Sequence, residues 1–498
     1  MIDISMRPAY LAPAALLLGW LVYQLSRPSK LPELPVLGLR KDEWFPTVRA
    51  AWRNTDEAVI IPLMTGTYVL LPASDTDFVV EAPGSQLSSH KQMNENFQLE
   101  HTVMDTELSL RPRQHQLIMT TLTSQAGNLI PEILDETAWN FDKYWGTDTK
   151  EWEEVPAFDT MRRIVGGVTN RVFVGPACRD EALMDASTKY ALDVPIASIL
   201  LRVLPNVLKP FLAPLIILSA RLHTHQHYQA LKPTIERRLK EFDARRADPE
   251  VAQSLGPEPN DWLQWSISQA KELGDPVLYS AKKLAHRVLF LNLPSIHTTS
   301  LAITGTLLDL VCHNKPEHIA ELRTDITSVL AKNDDQWNKH SLAKMHKLDS
   351  TLRESVRSLT TVALSRKVTS PSGVTFPSGV HVPYGVTVMV PGHSVMHDKA
   401  IYGPDADEFK PFRFVDQGSE SRKAFATTGK DFLSFGHGRY ACPGRFFAST
   451  ELKVILGHML LNYDFQMETD RPPFKCFGLQ RLPPRNKTIK IRRRENIE

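Results

Sequence analysis

Hydrophobic positions are spread unevenly along the chain, and their spacing predicts most of its elements. From Pro8 to Leu25 the sequence reads PAYLAPAALLLGWLVYQL, without a charge and with Trp20 and Tyr23 near one end. A span of roughly 18 apolar residues is just long enough to cross a bilayer. No small-residue cleavage site follows it, as a secretory signal would require. We read residues 1–26 as a retained N-terminal transmembrane helix, with Pro13 tolerated inside it. Arg7 precedes the run, but Arg27, Lys30, Arg40 and Lys41 follow it and place the bulk of the chain on the cytoplasmic side. Pro28, Pro32 and Pro35 make residues 27–45 a stiff hinge, and residues 46–498 form one large domain behind it.

Within that domain helical periodicity dominates, for instance over Leu284–Leu310 and Gln336–Thr361. Strand-like pieces lie at Val59–Leu71 and Val374–Val390, the latter punctuated by Pro377, Gly379, Pro383 and Gly385 as hairpins are. The expectation is a mainly α domain with small sheets. The apolar run Val194–Leu218 is broken by Pro195, Pro205, Pro210 and Pro214. It is therefore read as helices that line an apolar pocket or touch a membrane, not as a second span.

Composition narrows the classes. With 58 basic and 56 acidic residues, no global field calls for nucleic acid or an acidic partner. The four cysteines, Cys178, Cys312, Cys442 and Cys476, show neither zinc-site nor disulfide-scaffold spacing, which fits a reducing compartment.

The chemistry gathers near the C-terminus, where Asp431 to Ala448 read DFLSFGHGRYACPGRFFA. Gly436 and Gly438 permit a tight turn and close approach to a bulky planar ligand. Cys442 lies just before an apolar helical pattern, Phe446 through Leu461, whose N-terminal dipole would stabilise a thiolate, as would Arg439 and Arg445. Such a thiolate serves as a nucleophile or a metal ligand, whereas a lone cysteine is more often simply buried. Glu354 and Arg357 share a helix face at i,i+3, a spacing that usually means a solvated surface pair.

The segment resembles the haem-binding loop of the cytochrome P450 superfamily, F-x-x-G-x-R/H-x-C-x-G, with Phe435, Gly438, Cys442 and Gly444 in register. Glu354 and Arg357 match the family's E-x-x-R unit, and Pro411-Phe412-Arg413-Phe414 matches the later segment whose arginine joins it. LNLPSIHTTSLAITG, Leu291 to Gly305, resembles the helix that crosses the oxygen-binding face of the haem. The resemblance implies a helical prism with small β-sheets and haem b (iron protoporphyrin IX). Cys442 would be the axial iron ligand, and Phe435, Gly436, Gly438, Arg439, Gly444 and His115 would bind the cofactor. Glu354, Arg357 and Arg413 would lock the loop. Thr298 aligns with the threonine that helps deliver protons during oxygen activation, with His297 in place of the usual acid. Pro294 should bend that helix.

Two positions depart from the family pattern. Tyr440 replaces the Arg or His that contacts a haem propionate, and Met119 stands where a second propionate-binding cation is usual. His115, Arg439 and Arg111 or Arg113 are the substitutes, and haem affinity is expected to be low.

The resemblance also implies the reaction, insertion of one atom of O2 into a hydrophobic substrate. No flavin or dinucleotide domain is visible, so NADPH would act through a separate cytochrome P450 reductase, with cytochrome b5 as a further candidate donor. Lys430, Arg439 and Arg445 would form part of its docking face. The apolar segments Phe97–Leu108, Pro195–Leu215, Leu289–Thr298 and Thr360–Val368 imply a bulky hydrophobic substrate. KMHKLDSTLRES and IHTTS resemble filamentous-fungal members of terpenoid, indole-diterpenoid or meroterpenoid pathways, single-pass proteins of the endoplasmic reticulum membrane. A haem-dependent isomerase or dehydratase, a haem-poor binding protein and a cysteine hydrolase remain as other readings.

Overall fold

The computed structural model describes residues 31–35, 57–63, 65–103, 108, 113–360, 363–415, 424–477 and 480–495. The anchor at 1–26 and most of the hinge at 27–45 lie outside them. Among the described residues no helix is long and apolar enough to cross a membrane.

The architecture is mainly helical. The helices that matter for the site are α1 (Ser89–Phe97), α2 (Arg113–Leu117), α3 (Ile130–Trp145), α4 (Ala157–Val174), α5 (Glu181–Val203) and α6 (Lys209–Ile216). They continue with α7 (Leu218–Ala247), α8 (Trp262–Glu272), α9 (Ala281–Val311), α10 (Pro316–Ala331), α11 (His346–Leu359) and α12 (Arg445–Asn462). The 31-residue α9 runs through the centre. It packs against α4, α5, α7, α11 and α12, which explains why its sequence is apolar nearly all round. Leu284, Val288, Ile296, Ile303 and Leu308 are each 0% exposed on it. The pattern read as one helix over Gln336–Thr361 is two, Lys339–Lys344 and α11, because Met345 between them leaves helical geometry at φ −77°, ψ 66°.

The apolar pieces at Val59–Leu71 and Val374–Val390 resolve into β1 (Val59–Leu63), β2 (Gly66–Leu70), β6 (Val374–Thr375), β7 (His381–Val382) and β8 (Thr387–Val390). With β3 (Leu87–Ser88) and β5 (Ala363–Val368), three of these make a five-stranded sheet in the order β1-β2-β8-β5-β3. β2 pairs with β8 in parallel; the other pairs are antiparallel. The β5–β8 register slips between Ala363 and Arg366, a bulge of the kind that re-aims side chains beside sites. A three-stranded sheet and two hairpins complete the β structure.

The run Val194–Leu218 folds as the end of α5, a turn, and α6. Pro205 falls in the turn, Pro210 near the start of α6, and Pro195 and Pro214 inside helices.

Candidate active site

The loop before α12 is shaped by its glycines. Gly436 and Gly438 adopt φ +68° and +67°, and a Cβ on Gly438 would stand 2.4 Å from Val80 Cγ1. Only glycine fits there. The Cys442 N–H donates to Phe435 O at 2.7 Å and closes the loop on itself. Phe435 holds its stem by an edge-to-face contact with Phe425, centroids 5.1 Å apart. Cys442 is exposed. Desolvation by the surrounding loop pushes its thiol pKa up, opposed by the backbone N–H groups of Gly444 and Arg445 and by the Arg445 charge. The protein alone therefore holds a thiol, and the N–H groups form a cradle that a metal cation would convert to a thiolate site.

On α9, two residues break the pattern of burial. Pro294 and Thr298 are exposed, and Phe290 and Leu301 half-buried. At spacings of three and four they form one open stripe on a helix otherwise packed in the core. α9 also packs against α12, the helix that leaves the Cys442 loop. The bend expected at Pro294 does not interrupt the helix, which continues unbroken from Ala281 to Val311. The proline leaves Phe290 O without its usual partner, since it has no N–H to give. The Thr298 hydroxyl donates to Pro294 O at 2.6 Å, a back-bond to the preceding turn. His297 is turned elsewhere: its Nε2 hydrogen-bonds to Ala191 O in α5. Burial lowers its pKa, so the ring is neutral.

Glu354, Arg357 and Arg413 meet in one buried cluster. Arg357 donates to both Glu354 oxygens, at 2.8 and 2.9 Å, with both side chains 0% exposed. Arg413 Nε adds a bond to Glu354 Oε1 at 3.0 Å. Arg413 Nη1 also donates to Asp405 Oδ1 at 2.8 Å, and the other donors reach backbone carbonyls. Arg357 reaches Met396 and Ala406, and Arg413 reaches Tyr402, Asp405 and Glu408. Every charge is paired, as burial demands, and three separate chain segments are tied to α11.

Sequence reasoning missed Arg366. It lies in β5 just past the bulge, buried, and its guanidinium stacks over the Tyr440 ring at 5.0 Å. Nη1 donates to Ser365 O, but among the described residues Nε and Nη2 have no partner, nor does the neighbouring Ser365 hydroxyl. Burial lowers the Arg366 pKa to about 10. Leu364, two residues earlier, holds φ +52°, strained for a bulky side chain, and faces Gly436. A buried guanidinium with two idle donors calls for an anion. The available signal was its place at the alternate strand position shared with Leu364 and Val368 in ALSRKV.

The other expected cofactor contacts lie farther out. His115 is exposed on α2, and Met119 is 57% exposed on the single π-helical turn Ile118–Leu122 that follows. Arg439 is exposed, and Gly444 caps α12 with open space around it. Arg111 and the Arg113 side chain lie outside the described residues. Among the cations expected at a docking face, Lys430 pairs with Asp77 at 2.6 Å. Arg445 folds back onto Cys442 O at 2.9 Å and over Phe446.

The sequence model of the cytochrome P450 family matches residues 63–490. The chain belongs to the cytochrome P450 family. It is 31% identical to the cytochrome P450 monooxygenase gloP of Glarea lozoyensis, over 91% of this chain and 90% of that protein. It is 33% identical to olcJ of Penicillium canescens, over 86% and 79%, and 30% identical to ataF of Aspergillus terreus, over 95% and 94%. Both are likewise named cytochrome P450 monooxygenases. The fold is shared with the retinoic acid-bound cyanobacterial CYP120A1 at a TM-score of 0.66 and 17% identity, covering 93% of this chain and all of that one. This P450 is therefore a monooxygenase of a haem family that draws electrons from a redox partner. Its residues suit the cofactor: a sulfur cradled by N–H groups, glycines that let a flat group approach, and an idle buried arginine for a carboxylate.

Proposed function

We propose that this P450 inserts one oxygen atom from O2 into a bulky apolar substrate of the terpenoid type made by fungal secondary metabolism. Haem b would supply the oxygen-activating chemistry, with electrons from NADPH delivered by a separate reductase and cytochrome b5 as a second donor. Cys442 would supply the sulfur that binds the iron, held by the N–H groups of Gly444 and Arg445. Arg366 takes over the propionate contact that Tyr440 and Met119 give up, and the Tyr440 ring steadies its guanidinium. That arrangement argues against the haem-poor reading. Thr298 holds a hydroxyl proton on the open stripe of α9, bonded to Pro294 O, and would turn from that carbonyl to deliver it. His297, engaged with Ala191 O, acts as a brace between α9 and α5. Of the three docking cations, Arg439 is exposed and forms no ion pair among the described residues, which leaves it for the reductase.

The observation that carries this reading is Cys442 in its glycine loop with a donor cradle beneath the sulfur. The test is the carbon monoxide difference spectrum of dithionite-reduced microsomal protein beside a Cys442→Ala control. A red-shifted Soret band lost in the control is expected; a folded protein with no haem signal in either would sink the reading. Because Thr298 and His297 are both engaged, an isomerase or dehydratase is the second reading. Product formed without NADPH consumption would favour it.

We further propose an endoplasmic reticulum location, with residues 1–26 spanning the membrane once and the catalytic domain cytoplasmic. Support comes from α5 to α7, where Val207 and Phe211 are each 74% exposed, beside Leu215 and Leu218. An apolar patch of this kind marks an interaction surface, here a second contact with the bilayer.

A further inference from the structure

Arg202 ends α5 and Lys209 opens α6, so the turn between these helices brings two cations to one place. Arg202 Nη2 donates to Thr65 O at 3.0 Å and to the hydroxyl of Tyr68 in β2. Lys209 Nζ donates to Gln98 Oε1 at 2.7 Å. Gln98 itself holds a left-handed backbone, φ 48°, ψ 46°, which a non-glycine residue keeps only where its surroundings impose it. On either side of Gln98, Phe97 and Leu99 pack with Phe290 of α9. Phe290 stands one turn before Pro294 and two before Thr298. The two cations thus sit between the exposed apolar surface of α6 and the segment that packs, with Phe290, beside the open stripe of α9.

Both side chains are half-buried, and neither forms an ion pair among the described residues. Burial alone lowers the Arg202 pKa to about 10, with no charged neighbour to offset it. Lys209 is lowered first by burial, then raised by Glu100 and Glu95 and lowered again by Arg202. Two half-buried like charges side by side, with Glu100 and Glu95 acting on Lys209 only from a distance, are costly to hold together. They are worth keeping where an arriving anion completes them.

We propose that Arg202 and Lys209, with the Tyr68 hydroxyl, receive an anionic group, a carboxylate, carried by the apolar substrate as it enters the site. The planar Arg202 fork matches a carboxylate, and Lys209 adds a point charge. This deepens the proposed function and rests on it. A site built around a charged group rejects the neutral analogue, because its own donors are then left unpaired.

The test uses full-length haem-loaded protein in neutral-lipid nanodiscs and a matched pair of probes, dodecanoate and methyl dodecanoate, with binding read by calorimetry. The acid is expected to bind roughly tenfold or more tighter than the ester, the scale of a charge-assisted bond. Arg202→Gln and Lys209→Gln should each shrink that ratio, and the double variant should abolish it while ester binding persists. Ester binding and the carbon monoxide spectrum show that the variants are folded. An equal affinity for acid and ester, or a ratio that survives both substitutions, overturns the proposal. So does an effect confined to vesicles: if the double variant loses binding to phosphatidylglycerol vesicles and keeps its acid preference, the anion is a lipid headgroup. Absence of acid preference in the wild-type protein with an intact thiolate spectrum defeats this inference alone, whereas absence of that spectrum defeats the reading beneath it.

Discussion

Arg366 shows how one side chain can carry opposite signs in two states of the protein. With Nε and Nη2 idle in a buried setting, it destabilises the chain without cofactor and grips an anionic one. Arg366→Leu should raise the melting temperature of haem-free protein, gaining on the order of 1–3 kcal/mol from the idle donors removed. The same variant should hold less haem per polypeptide, measured as the pyridine haemochrome, and Arg366→Lys should restore part of it. A second residue-scale effect lies at Glu451 in α12. It is 0% exposed, accepts a bond from the Thr169 hydroxyl at 2.6 Å, and burial raises its pKa from 4.5 to about 8. Between those values the folded chain keeps a proton that the unfolded chain has released. Stability must therefore fall as pH rises from about 4.5 to about 8. Glu451→Gln should flatten that part of the melting temperature against pH, and an unchanged slope would remove Glu451 from the account.

At the scale of elements, the cluster on α11 decides whether the Cys442 loop has a frame to sit in. Glu354 bridges two arginines that also bind five carbonyls around residues 396–408, and Arg413 is paired with Asp405 as well. Glu354→Ala leaves Arg357 as an uncompensated buried charge, and removing one partner of such a pair costs about 3–5 kcal/mol. We expect the variant to lose thiolate-ligated haem, with the Soret band of the reduced carbon monoxide complex shifted back to the blue. A variant with wild-type spectrum and melting temperature would show that the loop does not depend on this frame. Helix α9 shows the converse, where local sequence is overruled. Pro294 removes one hydrogen bond, yet packing on the surrounding helices holds the helix through it. Tertiary burial outweighs a local cost of about 3 kcal/mol.

For the whole molecule, the anchor and the α5–α7 surface make separate predictions. Removal of residues 1–26 should leave a protein that still partitions to membranes but is released by high salt or carbonate. Adding Phe211→Asp and Leu215→Asp should free it into the soluble fraction, as sedimentation would read. If the truncated protein is already soluble, the exposed apolar surface serves something other than the bilayer. Its area faces away from the core, so the substitutions should leave folding unaffected.

The family and the broad architecture were legible from residues 431–448, from Glu354 with Arg357, and from the periodicity of Leu284–Leu310. Each of these is a local pattern, in which spacing along the chain already fixes which residues share a face or a turn. Arg366, the Arg202–Lys209 pair and the direction of His297 were not legible in this way. Arg366 owes its burial to a bulge set against β8, and its idle donors to the loop of Tyr440. Arg202 meets Tyr68 across more than a hundred residues of chain, and Lys209 meets Gln98 likewise. His297 bonds a carbonyl of a different helix. Sequence spacing determined what is near along the chain. Which charges go unpaired depends on segments far apart in sequence meeting out of water, and only the folded structure decides that.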